Sequence, residues 1–231
     1  MKLTYFGHSC FSVAAGGKTL LFDPFVTANE LAKAVDVDKI EADYIFVSHG
    51  HFDHILDAER IARRTGAKVL GNWELYNWFN QRGLKNTHPI NPGGQFAFDF
   101  GTVKCFTAQH SSSLPDGSYG GVASGFAFRT PDGNFYYSGD TGLTLDMQLV
   151  RDWAPLDFAV FPVGDGLTMG VDDAIKAARL VGVKKVVGVH YDTFGFIKLD
   201  HAGAVEAFRK AEMELRLLDI GSIHELAGQA A

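Results

Sequence analysis

Apolar residues come in short runs along the chain, broken by glycine and small polar residues. "KLTYF", "CFSVAA" and "KTLLFD" are separated by "GHS" and "GGK", so the first two dozen positions read as a meander of three strands. "ADYIFVSH" predicts an apolar strand. In "DAERIARRTG" the charges fall at helical spacing, with Asp57 as N-cap and Gly66 as stop. "AKVLG" reads as a strand, "WELYNWFNQRG" as an amphipathic helix, and "QFAFDFGTVKCFTAQH" as a hairpin turning at Gly101.

The second half repeats the mixture. "ASGFAFRTPDGNFYYSGD" predicts a hairpin with "PDG" as its turn. "PLDFAVFPVG" reads as a buried strand, "VDDAIKAARLVG" as a helix, "KKVVGVH" as a strand and "DHAGAVEAFRKAEME" as a helix; "LRLLD" and "SIHEL" end the chain. Strands and helices mix in both halves, and no linker or low-complexity tract divides them. The expectation is one α/β domain over residues 1–231, built of two β-sheets covered by helices.

Composition narrows the function classes. With 231 residues, 46% hydrophobic and 21% charged, the chain has the balance of a globular protein with a sizeable core. No apolar run is long enough to cross a bilayer. The start "MKLTYFGHSC" has no secretory pattern, so a cytoplasmic location is expected. Cys10 and Cys105 give no disulfide framework and read as packing residues. The net charge is −6 and the basic residues are scattered, which argues against a long nucleic acid as partner and leaves a small-molecule substrate open. A homo-oligomer stays open.

The chemistry gathers at strand ends. His49 ends "YIFVSH", His110 ends "KCFTAQH", Asp140 ends "FYYSGD", His190 ends "VVGVH" and Asp23 ends "TLLFD". Loops just beyond strand ends are where a layered α/β scaffold collects binding groups. The stretch "HGHFDH" adds His51, Asp53 and His54. Four ligand residues in six positions are costly to hold together without a metal ion to neutralise or order them. In extended backbone the His49 and His51 rings point to one side. Asp53 and His54 follow where the chain turns into a helix and can aim at a second point. Neither pair completes a tetrahedral site; His110, Asp140 and His190 can supply what is missing. His88 and His224, by contrast, read as ordinary polar residues.

With these residues in place the chain resembles the metallo-β-lactamase superfamily, whose "HxHxDH" signature stands here as "HGHFDH", followed by a separate His, a "GD" aspartate and a final His. The segments "GHSCF", "DPF", "GDTGL", "GDGLTMG" and "HYDTF" are similar to the small metal-dependent hydrolase branch, near the ascorbate-6-phosphate lactonases. The resemblance implies a four-layer αβ/βα sandwich. It also implies two divalent metal ions, zinc foremost, with manganese, nickel or iron tolerated by the same ligands. His49, His51 and His110 would take the first ion and Asp53, His54 and His190 the second, with Asp140 bridging. Asp23 matches the family's first-motif aspartate, which orients a ligand by hydrogen bonding. The flavodiiron branch carries Glu where this chain has His51, and the tRNA-processing branch carries a long inserted arm that this chain lacks.

The implied reaction is hydrolysis of a small ester, lactone or phosphodiester by a hydroxide bridging ions roughly 3.5–4 Å apart. Asp53 and Asp140 are the catalytic candidates, Asp53 for an added part in proton handling. A nuclease or nucleotide phosphodiesterase stands second, and a non-catalytic metal-binding protein third. His8, after "KLTYF", is a candidate to reach the site, and Asp165, Thr168 and Tyr191 are candidates to line the pocket. Phe25, Phe194 and Phe196 read as core or pocket wall, and His201 as the start of a helix.

Overall fold

The computed structural model describes residues 1–226; positions 227–231 of the expected domain lie outside the described residues. The meander is present as β1 (Lys2–Gly7), β2 (Cys10–Ala15) and β3 (Lys18–Phe22), paired antiparallel. Three parallel strands extend it: β4 (Tyr44–Phe46), β5 (Lys68–Gly71) and β6 (Thr87–Pro89). The short α1 (Phe52–Ile55) and α2 (Ala58–Thr65) lead from β4 to β5, and α3 (Trp73–Gln81) from β5 to β6.

A second sheet repeats the plan. β7 (Gln95–Phe98), β8 (Gly101–Thr107), β9 (Ser124–Thr130) and β10 (Gly133–Tyr137) run antiparallel. The strands β11 (Phe158–Pro162), β12 (Lys185–Val189) and β13 (Glu214–Arg216) then add in parallel. The crossovers carry α4 (Gln148–Trp153), α5 (Val171–Val181) and α6 (His201–Lys210). Last, β14 (Ile223–Glu225) returns to the first sheet beside β1, with Leu3 opposite His224. Among the described residues each sheet has seven strands.

The sheets face each other across an aromatic core, and Phe22 lies at its centre. Its ring contacts Phe11 and Phe46 from its own sheet and Phe128, Phe135 and Tyr137 from the other, at 4.5–6.0 Å between centroids. Outside the second sheet, the Ala-rich face of α5 (Ala174, Ala177, Ala178) buries against Ala159, Phe161 and Val186. Outside the first sheet, Ile61 and Ala62 of α2 and Leu75 and Phe79 of α3 cover Ile45, Val47 and Val69. This is the four-layer sandwich that the resemblance implied, with the two helix-covered sheets expected from the element order. Among the described residues no helix is long and apolar enough to cross a membrane.

Some local expectations change. Gly66 stops α2 in the left-handed conformation at φ 75°, its N–H donating to the Ala62 carbonyl. Asp57 precedes that helix but does not cap it with its side chain. Its carboxylate instead accepts from the Val26 and Thr27 amides and the Thr27 hydroxyl, so it anchors the loop after β3. Strand β6 and helix α4 carry no signal long enough to be read from the sequence. The two C-terminal runs join different sheets.

Candidate metal centre

Six strand ends meet at one rim of the sandwich. His8 follows β1, Asp23 follows β3 and the "HGHFDH" segment follows β4, all in the first sheet. His110, Asp140 and His190 lie beyond β8, β10 and β12 in the second. The rim therefore lies at the seam between the sheets. Three of these residues sit in the left-handed backbone region that non-glycine residues rarely adopt: His8 at φ 54°, Asp23 at φ 40° and His190 at φ 57°. Such conformations persist where the surroundings over-determine them, and they cluster at functional sites. Two bonds hold this backbone, since the His8 carbonyl accepts from the His190 amide at 3.0 Å and from the Tyr5 hydroxyl at 3.0 Å.

The side chains form two neighbouring groups. His49, His51 and His110 bring one nitrogen each within 4.8 Å of one another, with His49 Nε2 2.9 Å from His51 Nδ1. His8, Asp53, His54 and His190 form a second group under the same limit. Asp140 stands between them: its Oδ2 lies 3.8 Å from His110 Nε2, 3.2 Å from His54 Nε2 and 2.9 Å from His190 Nε2. His54 Nε2, Asp140 Oδ1 and His190 Nδ1 are buried without a hydrogen-bond partner. Imidazole nitrogens and carboxylate oxygens, buried, convergent and partly unsatisfied, suit a divalent cation.

Neighbouring groups orient these side chains. Asp23 is fully buried and accepts four bonds: from the Ser48 amide (2.7 Å), the Ser48 hydroxyl (2.5 Å), the Tyr137 hydroxyl (2.5 Å) and His54 Nδ1 (2.8 Å). With its Nδ1–H donated to Asp23, His54 turns Nε2 toward the site, the nitrogen that a cation would take in place of a proton. The Ser48 hydroxyl also lies 2.9 Å from His49 Nδ1, and Ser111 Oγ is 3.4 Å from His51 Nε2. Gly139, just before Asp140, has φ 62°, and a Cβ there would come 2.5 Å from the Ser124 carbonyl and 2.8 Å from Ser48 Cβ.

Without metal the electrostatics divide sharply. Burial pushes the His49 imidazole well below its usual pKa and lowers His51 and His110 as well. His8 is pushed by burial down to about 4. His54 goes the other way: burial opposes its charge, but Asp140 and Asp23 together outweigh that and hold it protonated. Burial alone would raise both Asp53 and Asp140. For Asp53 it is outweighed by the His8 hydrogen bond and the His54 charge, and for Asp140 by His54 and His190, so both carboxylates stay ionised. In the metal-free site a proton on His54 thus occupies ground that a cation would take.

The other sequence candidates divide. His8 reaches the site, with Nε2 3.0 Å from Asp53 Oδ2 and Nδ1 3.0 Å from the Thr193 hydroxyl. Thr168 directs its hydroxyl to the Met169 carbonyl at 3.5 Å, and Met169 in turn bonds to Thr141, next to Asp140. Asp165 is exposed in a surface groove with Asp172, Asp173 and Lys176, and it belongs to neither group of convergent donors. Tyr191 turns inward, stacked on Tyr5 and edge-on to His201. His201 opens α6 and pairs with Asp192 at 2.7 Å. His88 packs its ring against Phe96 and Phe98, and His224 lies 2.7 Å from Ser222 Oγ. Sequence reasoning missed Ser48, Tyr137 and Thr193. Ser48 sits directly before His49, but Tyr137 carries no local signal because it reads as a core residue of its strand.

A family model described as the beta-lactamase superfamily domain matches residues 18–191. A protein named UPF0173 metal-dependent hydrolase from Methylacidiphilum infernorum (isolate V4) is 49% identical over 220 residues, covering 95% of this chain and 97% of its own. Another of that name from Christiangramia forsetii is 46% identical over 227 residues, covering 98% of this chain and all of its own length. Among solved structures, Igni18, described as a novel metallo hydrolase from the archaeon Ignicoccus hospitalis, superposes with a TM-score of 0.87 at 33% identity, covering 96% of this chain and 97% of that one. The chain belongs to the metallo-β-lactamase superfamily and, within it, to the family of proteins named UPF0173 metal-dependent hydrolases.

Proposed function

We propose that the protein is a metal-dependent hydrolase that cleaves a small ester, lactone or phosphodiester at a centre of two divalent ions, zinc first, with manganese, nickel or iron as alternatives. His49, His51 and His110 would hold one ion, Asp53, His54 and His190 the other, and Asp140 would bridge them. The observation that carries this reading is the position of Asp140 Oδ2, within 3.8 Å of nitrogens belonging to both groups. Such a pair of ions lowers the pKa of water toward neutrality and polarises the substrate oxygen.

The chain's own residues supply the rest. Asp53 is partly exposed and held as a carboxylate, so it can take a proton from the attacking water and return it to the leaving oxygen. In ester cleavage the water oxygen bonds to the carbonyl carbon, the C–O bond to the leaving group breaks, and this proton ends on the departing alkoxide. His8 would steady the Asp53 carboxylate and Asp23 would steady His54 through their hydrogen bonds, and Thr168 is the candidate to line the mouth. Metal analysis and assays of p-nitrophenyl esters, lactones and bis-p-nitrophenyl phosphate test this reading. His51→Ala and Asp140→Ala should each lose bound metal and at least a hundredfold in kcat/KM. Full activity in metal-free protein refutes it.

A further inference from the structure

Beside the metal centre, aromatic rings form a continuous chain. Phe52, between His51 and Asp53, meets Phe25 edge-on at 5.1 Å. Phe25 meets His8 at 5.5 Å, and His8 meets Phe194 at 5.5 Å. Phe194 stacks on Phe196 at 5.6 Å with 17° between the planes. The middle of the chain, Phe25 and His8, is buried, but the ends are open: Phe52 is 47% and Phe196 67% exposed. His8, at the centre, touches Asp53. Open phenyl rings therefore stand at the two ends of a ring chain whose buried centre, His8, touches the proposed reacting carboxylate.

Two phenylalanines held open at the mouth of a polar site form the kind of exposed apolar surface that marks binding. The charges around the site agree. Among the described residues, every ion pair made by Asp23, Asp53 and Asp140 is with a histidine, none with lysine or arginine. Lys198, in the same loop as Phe194 and Phe196, donates its ammonium to the Asp192 carbonyl. Among the described residues, the forks and points of charge that grip a phosphate are thus not tied to the carboxylates of the proposed centre.

We propose that Phe52, Phe194 and Phe196 seat an uncharged apolar or aromatic substituent of the substrate, so that the substrate is an ester or lactone carrying a hydrocarbon tail. This rests on the hydrolase reading above and selects one class within it. The reacting end meets the metal centre and Asp53, while the tail lies along the phenyl strip.

The test uses the metal-loaded full chain with p-nitrophenyl acetate, butyrate and hexanoate. Calorimetric binding of acetate, butyrate and hexanoate anions is measured alongside. Burying each added methylene predicts a gain of about fourfold in kcat/KM and in anion affinity. Phe52→Ala and Phe196→Ala should each cut the hexanoate-to-acetate ratio about tenfold, mainly through KM. Both side chains are exposed, so the variants keep the core intact. Turnover with no dependence on chain length, or a dependence that survives in the double variant, overturns the proposal and leaves the hydrolase reading standing. A chain-length ladder in anion binding that collapses in the variants, with no ester turned over, upholds the phenyl seat and removes the hydrolase reading. Absence of both turnover and ladder overturns both.

Discussion

Asp23→Asn changes one buried atom and should disarm one half of the site. The Asp23 carboxylate accepts from His54 Nδ1 at 2.8 Å, which leaves Nε2 bare and facing Asp140 at 3.2 Å. An amide in its place turns an NH2 group toward several donors. To satisfy it, His54 must accept at Nδ1 and carry its proton on Nε2, the tautomer that cannot bind a cation. Losing a hydrogen bond to a charged acceptor costs ~1.5–3 kcal/mol, and at about 1.4 kcal/mol per decade metal affinity at the second position falls by roughly 10–150-fold. Loss of a group that orients a metal ligand costs about 10–100-fold in general, the same scale. Competition against a chromophoric chelator at pH 7.5 measures it, with circular dichroism to confirm folding. Tyr137→Phe, which removes one donor but leaves the carboxylate, should lose much less. A folded Asp23→Asn protein that binds two equivalents of metal within threefold of the wild-type affinity refutes the tautomer argument.

Metal-free protein should lose stability on acidification between pH 6.5 and 4. The folded-state pKa of His8 is lowered to about 4, so its contribution is complete above 6.5 and disappears as pH falls through that window. At this depth of burial it is on the order of 3 kcal/mol. His49, His51 and His110 act in the same direction, while His54, with its raised pKa, loses its contribution as pH rises and partly offsets them. Urea midpoints at pH 7.5 and 5.0 check this, and equal midpoints contradict it. Phe22→Ala removes the ring joining both sheets and should cost about 3–5 kcal/mol in the same unfolding assay; less than 1 kcal/mol would mean that the core collapses around the gap. Gly139→Ala must force a left-handed backbone and displace Ser48 or the Ser124 carbonyl. Loss of metal together with a lower Tm is expected, and a fully loaded, equally stable variant contradicts it.

The "HGHFDH" segment declared itself in the sequence because four ligand residues within six positions have few other uses. His110, Asp140 and His190 were legible only as a set, through their shared place after apolar runs. His8 could not be decided: "GHS" reads equally well as a plain turn, and only the φ of 54° and the bonds to Asp53 and Thr193 put the ring in the site. Tyr137 was hidden for the opposite reason, since its ring obeys the core pattern and only its hydroxyl, aimed at Asp23 from the other sheet, departs from it. Asp57 shows how a cap position can mislead, because the loop carrying Val26 and Thr27 claimed its carboxylate. The assignment of β13 and β14 to different sheets depends on long-range pairing that no local run encodes.

The donors lie on both banks of a seam, three strand ends from each sheet. Neither sheet by itself carries either complete group: His110, beyond β8 of the second sheet, meets His49 and His51 of the first, and His190, beyond β12, meets His8, Asp53 and His54. On the proposed two-ion reading, tight metal capture during refolding would be a clock for the docking of the two sheets. A chelator would then remove a rivet from an edge where the sandwich is joined by polar groups instead of phenyl rings.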